Sequence, residues 1–61
     1  MKSLKLKTYI LKGIDNNTFL AHKTFNLTGA IAYFECILTI SEIYGKFTIQ
    51  EEDKIKVTLT L

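Results

Sequence analysis

The stretch GAIAYFECILTISEIYG, residues 29–45, constrains the fold most, because it is long enough for a helix and apolar almost throughout. At about 100° per residue, Glu35, Thr39 and Glu42 fall on one narrow line of such a helix. The apolar residues opposite that line are predicted to pack on a sheet: Tyr33, Ile37, Ile40 and Tyr44. The stretch therefore predicts a helix with one polar line and a broad apolar remainder.

The ends of this helix have their own signals. Thr28 is the expected N-cap, and Gly45 is the expected C′ residue just past the end. The alternative for residues 30–40 is a strand, since Ile, Tyr, Phe and Thr favour β structure. That alternative gives a small five-stranded all-β barrel. Length and the polar line favour the helix.

Two strands precede the helix. SLKLKTYILK alternates, with Leu4, Leu6 and Ile10 predicted toward the core and Lys5, Lys7 and Tyr9 on the other face. GIDNN then supplies turn residues. TFLAHKTFNL is predicted as the second strand, and its core-facing residues are Phe19, Ala21, Phe25 and Leu27.

A second hairpin follows the helix. KFTIQ is a short strand, EEDK is a charged turn, and KIKVTLTL alternates cleanly. The core-facing residues of the last strand are predicted to be Ile55, Val57, Leu59 and Leu61.

The resulting pattern is ββαββ, an α+β fold in a single domain spanning residues 1–61. A right-handed crossover is expected to place the first and last strands side by side in the middle of a four-stranded mixed sheet, with the helix across one face. The segment GKFTIQEEDKIKVTLTL resembles the last hairpin of the small immunoglobulin-binding domains of the protein G and protein L kind. The resemblance implies the same ββαββ topology, and it carries over no antibody-binding residue.

A chain of 61 residues is near the lower limit at which one core can hold a fold together. Cys36 is the only cysteine, so no intrachain disulfide supplements that core. A lone cysteine suits a reducing compartment, and the apolar run is too short to span a bilayer and contains Glu35. A cytoplasmic protein without a membrane segment is expected. Oligomerisation or a protein partner is the remaining source of stability.

Catalytic and ligand-binding motifs are missing from the sequence. His22 is the only histidine, which excludes a zinc constellation of the usual kind. Cys36 lies in an apolar helix, where a free cysteine usually behaves as a small hydrophobe. The expectation is a non-enzymatic protein with no cofactor and no metal.

The surplus apolar surface of the helix predicts an interface. A helix packed on a sheet needs an apolar surface on about one side only, whereas apolar residues here cover most of the circumference. The predicted interface residues are Ile31, Phe34, Glu35, Leu38, Glu42 and Ile43. The partner is expected to be another protein or a second copy, in a homodimer or larger oligomer. A compact chain of this kind is similar to accessory proteins of bacteriophages and mobile elements, many of which inhibit a host protein by covering its surface.

The alternative function is single-stranded nucleic-acid binding on the open face of the sheet. Net charge is +2, and the predicted platform consists of Lys5, Lys7, Tyr9, Lys54 and Lys56. The lysines would follow a phosphate backbone while the tyrosine ring stacks on a base. The absence of arginine argues against this alternative, because arginine is favoured for bidentate phosphate contacts.

Overall fold

The computed structural model describes residues 5–61, which form four strands and one helix. The elements are β1 (Lys7–Gly13), β2 (Phe19–Thr24), α1 (Leu27–Ile40), β3 (Lys46–Glu51) and β4 (Lys54–Thr60). The predicted α+β ββαββ domain is confirmed. The all-β barrel is wrong, because its additional strand is replaced by α1. The core position predicted for Leu4 lies outside the described residues.

The order of the strands differs from the prediction. The sheet has the order β2-β1-β3-β4, and all three neighbouring pairs are antiparallel. The central strands are therefore β1 and β3, so the prediction of a mixed sheet with the first and last strands in the middle is wrong. Since β2 and β3 are each antiparallel to β1, they run in the same direction, and α1 connects them across the strand between. The rule that crossovers are right-handed does not decide between β3 and β4 as the neighbour of β1.

The core lies between α1 and one face of the sheet. Its buried side chains come from β1, α1, β3 and β4, and they are Tyr9, Leu11, Ala30, Phe34, Leu38, Phe47, Ile49 and Leu59. Tyr9 and Leu11 lie inward, so the facing predicted for β1 is inverted and Ile10 lies on the open face. Because Tyr9, Ile10 and Leu11 are all apolar, the sequence of β1 allows either of its faces to point toward the core. Leu11 is opposite Leu20 on one side and Ile49 on the other, which completes an apolar row under the helix.

The inverted facing extends to β2 and to one position in β4. Phe19 and Ala21 are exposed on the open face, and Phe25 is exposed just after β2, so their predicted core positions are wrong. Leu27 is partly buried against the core as predicted, and so are Val57 and Leu61. Ile55 is 60% exposed because an irregularity beside Gln50 shifts the β3–β4 register by one residue.

Helix α1 begins two residues earlier than predicted. Asn26 is the N-cap in place of Thr28, and its side-chain oxygen accepts a hydrogen bond of 2.8 Å from the Gly29 amide. Asn is as favourable a cap as Ser or Asp, and it satisfies one of the amides that the first turn leaves unpaired.

The C-terminus of α1 is also not where Gly45 predicts it. Ser41 is the C-cap, and Glu42 follows in the left-handed region with φ of 56°. The Glu42 amide donates to the Thr39 carbonyl, and the Ile43 amide donates to the Leu38 carbonyl. These two bonds are the Schellman pattern, which brings Ile43 back onto the core beside Leu38. A glutamate therefore occupies a position that usually requires glycine.

The rotation of α1 about its axis differs from the prediction by about 100°, the angle between consecutive residues. Phe34 and Leu38 face the sheet and are fully buried, whereas Tyr33 and Ile40 do not. The side of α1 that carries Tyr33 and Ile40, expected on the sheet, is consequently exposed. The neighbouring side, with Phe34 and Leu38, fills the core.

The β3–β4 hairpin has a two-residue loop with an unusual sequence. Glu52 and Asp53 both have positive φ, 52° and 65°. This is the pattern of a type I′ turn, for which Asn-Gly is the preferred sequence because glycine has no Cβ to clash. The wild-type turn therefore carries backbone strain.

Replacing the turn by Asn-Gly should stabilise the protein. We expect Glu52→Asn with Asp53→Gly to raise the free energy of unfolding by about 1–2 kcal/mol, measured as a higher urea midpoint at unchanged slope. Glu52→Gln with Asp53→Ser removes the same two charges and keeps ordinary side chains. Equal stabilisation by this control would show that charge repulsion, rather than backbone strain, was relieved.

Candidate protein-interaction surface

The predicted interface residues do not form a common exposed surface. Phe34 and Leu38 are both 0% exposed, so their assignment to an interface is wrong. Ile31 and Ile43 are partly buried and pack against the same core. Glu35 and Glu42 are exposed, but Glu35 lies within α1 and Glu42 lies beyond its C-cap, so the two do not share a helix face. The physical reason is the rotation of α1, which turns the predicted flank onto the sheet.

A different side of α1 is exposed and apolar, and we call it the helix flank: Tyr33, Cys36, Ile37 and Ile40. These positions are spaced i, i+3, i+4 and i+7, which places them on one helical stripe. Ile40 is 73% exposed and Tyr33 is 39% exposed. Cys36 is an exposed free thiol, and Ile37 is partly buried. The helix flank thus leaves apolar side chains in water without a covering segment from residues 5–61.

Aromatic contacts fix where the helix flank lies relative to the sheet. The Tyr33 ring stacks on the His22 imidazole, with ring centroids 3.6 Å apart and an angle of 4° between the planes. Phe34 meets both rings edge-on, at 5.7 Å from Tyr33 and 6.3 Å from His22. Since His22 belongs to β2, the helix flank lies on the β2 side of the molecule.

Strand β2 is itself an edge of the sheet. Its inner side pairs with β1, and within residues 5–61 no strand pairs with its outer side. Phe19, 61% exposed, lies on the open face of this edge, with the Lys12 ammonium 5.9 Å from its ring centroid. An edge strand presents unpaired backbone donors and acceptors that another strand can satisfy. Apolar side chains and unpaired backbone groups therefore meet along one side of the molecule.

The residues of the predicted nucleic-acid platform are not brought together. Tyr9 is buried under the helix layer and offers no ring for a base to stack on. Lys5 and Lys7 are separated from the β4 lysines, Lys54 and Lys56, by the whole of β3. The Lys7 ammonium lies 3.8 Å from the Glu51 carboxylate. The predicted platform is therefore wrong as a constellation.

A groove of about 490 Å³ lies where the start of β1 meets the β3–β4 turn. Lys5 and Lys7 line it together with three acids, Glu51, Glu52 and Asp53. Charges of both signs line the same space, and among the described residues, 5–61, no buried side-chain polar atom is without a partner. The groove therefore has no dominant charge with which to select a ligand.

Burial gives Tyr9 a property that can be tested. Desolvation raises the pKa of the Tyr9 phenol above its ordinary value of 10.0, and the Glu51 charge and its side-chain hydrogen bond raise it further. The folded protein therefore holds this proton to a higher pH than the unfolded chain does. Because the unfolded chain binds fewer protons above pH 10, stability should be lost as pH rises through and beyond that value.

We expect Tyr9→Phe to flatten this alkaline loss of stability, measured as urea midpoints between about pH 8 and 11. Tyr44→Phe is the matched control, because Tyr44 is exposed and its loss should leave the wild-type slope unchanged. The explanation fails if stability of Tyr9→Phe declines with pH as steeply as that of the wild type.

Among residues 5–61, no cluster of three or more His, Cys, Asp or Glu side chains is placed to hold a metal ion. In the same part of the chain no helix has the length and hydropathy to cross a membrane. No protein-family model, no curated protein and no solved structure matches the chain.

Sequence reasoning identified Tyr33, Ile37 and Ile40 as one line but assigned them to the sheet. A usable signal was the chemistry of the two competing lines. One carries a tyrosine, which keeps its hydroxyl near water, whereas the other carries only Ala30, Phe34 and Leu38.

Proposed function

We propose that this protein is a non-enzymatic protein-binding module whose binding surface is the helix flank together with the outer edge of β2. The observation that carries the proposal is the exposure of Ile40, 73% of whose surface is in water within an apolar helical stripe. Contiguous exposed apolar surface of this kind marks interaction sites in small proteins.

The energetics favour use of this surface. Burying one large aliphatic or aromatic side chain contributes about 1.5–3 kcal/mol. A domain of this size has a total stability of only about 3–9 kcal/mol, from typical values per residue. A partner that covers Ile40 and Tyr33 therefore contributes a large share of the stability of the folded state.

Occlusion is the mode of action that suits such a module. It performs no chemistry and acts by covering a surface. That surface belongs either to a host protein, as when accessory proteins of bacteriophages inhibit a host enzyme, or to a second copy of the chain in self-association. We place this action in the cytoplasm, where the exposed Cys36 thiol stays reduced.

A photo-crosslinking residue at position 40 tests the proposal in an extract of the cells that make the protein. We expect a discrete protein adduct from position 40, because that side chain lies in the binding surface. The matched control is the same residue at position 35, which is exposed and lies about 140° away around the helix axis. Equal labelling from both positions, or none from position 40, would contradict the proposal.

A further inference from the structure

We infer that the occupant of this surface is a second copy of the chain, joined by antiparallel pairing of β2 with β2 around a two-fold axis through Ala21. This inference rests on the proposed function, because it names the partner of the same surface. A two-fold interface requires one patch that is complementary to itself. Strand register, helix spacing and area show that the β2 side meets that requirement.

The strand register pairs unlike side chains. With the axis through Ala21, Phe19 lies opposite Lys23 of the second copy, and Leu20 lies opposite His22 of the second copy. On the open face, each Lys23 ammonium then meets an exposed aromatic ring. On the helix face, Leu20 packs on the imidazole. No lysine lies opposite a lysine, and the centre holds only two alanine methyl groups.

The alternative axis through His22 pairs the side chains less well. It places the two imidazoles opposite one another and sets Lys23 against Ala21, so the ammonium gains no aromatic contact. The Ala21 register is therefore the self-complementary one.

The two helices then meet at an ordinary packing distance. Helix α1 contacts β2 and β1, and neighbouring strands are about 4.8 Å apart. A two-fold axis just outside β2 places the two helix axes about 10 Å apart on the same face of a continuous eight-stranded sheet, within the usual range for packed helices. The two helices run antiparallel.

The side chains facing this gap are those of the helix flank. Tyr33 is level with His22, on which it stacks. Ala21 lies one strand residue beyond His22, which corresponds to about two residues of helix. The axis therefore sets Tyr33 of one copy beside Ile37 and Ile40 of the other, an aromatic ring against two aliphatic chains.

The exposed area on this side is of the right order. An aromatic side chain offers roughly 150–250 Å². The exposed fractions of Phe19, Phe25 and Tyr33 then amount to about 300 Å², more than a third of the roughly 800 Å² per partner in a stable interface. Ile40 and the backbone of the edge strand add to that area.

Light scattering behind a sizing column measures the mass of the assembly. We expect the wild type to have twice the 7.0 kDa mass of the single chain. Ile40→Lys should weaken the dimer roughly a hundredfold, because each of the two copies loses a buried apolar contact. Thr39→Lys carries the same charge change about 100° away on the helix, and it should leave the dissociation constant within about twofold.

Disulfide trapping measures the register, in a Cys36→Ser background that removes the native thiol. Ala21→Cys should form a disulfide-linked dimer on mild oxidation, because opposite residues across the axis have Cα atoms about 4.5–5.5 Å apart. His22→Cys is the register control, since its diagonal separation of about 7–8 Å should slow the cross-link at least about tenfold.

Two results would overturn the inference. One is a wild type that stays monomeric over a hundredfold range of concentration. The other is a dimer that ignores Ile40→Lys and does not cross-link at position 21. A monomer whose position 40 captures a different protein overturns the dimer and leaves the proposed function standing. A dimer that forms through another face, with no adduct from position 40, overturns both this inference and the proposed function.

Discussion

Phe34→Ala should unfold the protein or bring it close to unfolding, with a loss of about 3–5 kcal/mol. Phe34 is fully buried, and it contacts the aromatic pair formed by His22 and Tyr33. Truncation removes its transfer free energy and leaves a cavity that a single helix over a sheet cannot close. Circular dichroism in urea measures the loss as a lower midpoint, or as an unfolded spectrum in buffer.

The matched control for this substitution is the adjacent residue. Tyr33→Ala should cost only about 1 kcal/mol, chiefly the stacking on His22, because 39% of the tyrosine surface already lies in water. Both variants should be compared with wild type at a concentration where the chain is monomeric, so that loss of dimer does not enter. If Tyr33→Ala proved the more damaging of the two, the helix would be rotated as the sequence pattern suggested.

Leu11→Lys should abolish folding. Leu11 lies at the centre of the core, fully buried, with Leu20 opposite on β2 and Ile49 opposite on β3. An unpaired ammonium there has no carboxylate within its row, and burying a charge without a partner costs more than a domain of this size can offset. The expected result is a chain without a cooperative urea transition.

Ile10→Lys is the control on the other face of the same strand. Its cross-strand neighbours are Ala21 and Gln50, so the new ammonium meets no lysine directly and remains in contact with water. We expect a change in stability within about 1 kcal/mol. The opposite order of effects, with Ile10→Lys unfolded and Leu11→Lys folded, would invert the assignment of the two faces.

Sequence pattern was sufficient for the kinds of elements and their order. The two hairpins and the helix are where alternation and length predicted them. In the last strand, KIKVTLTL, three of the four predicted core residues are correct. Because Val57 and Leu59 alternate with Thr58, only one face of this strand can pack on the core. Local chemistry decides such features.

Which face of an element packs on the core was not predictable where apolar residues occupy both faces. In β1, Tyr9-Ile10-Leu11 fits either facing, and in α1 the two competing lines differ by one residue. The choice between them depends on cross-strand partners such as Leu20 and Ile49, which become neighbours only once the sheet has assembled. An error of one residue moves a side chain from core to solvent. That is why the interaction surface was expected at Phe34 and Leu38 rather than at Tyr33 and Ile40.

The register irregularity beside Gln50 and the strand order had no local signal at all. Ile55 continues the alternation of its strand without a break, yet the shift exposes it. Whether β3 or β4 lies beside β1 depends on how the helix connection closes over the sheet, and both outcomes use the same hairpins.

The central β1–β3 ladder also has a consequence for the kinetics of folding. Each hairpin joins strands that are adjacent in the chain, and such a hairpin closes in about 1–10 μs. The ladder between β1 and β3, in contrast, brings together segments separated by all of β2 and α1. Closing that long loop costs entropy before any of its contacts are gained, so we expect this step to set the folding rate. Until it closes, Leu11 and Ile49 belong to two separate hairpins, each with an uncovered apolar face.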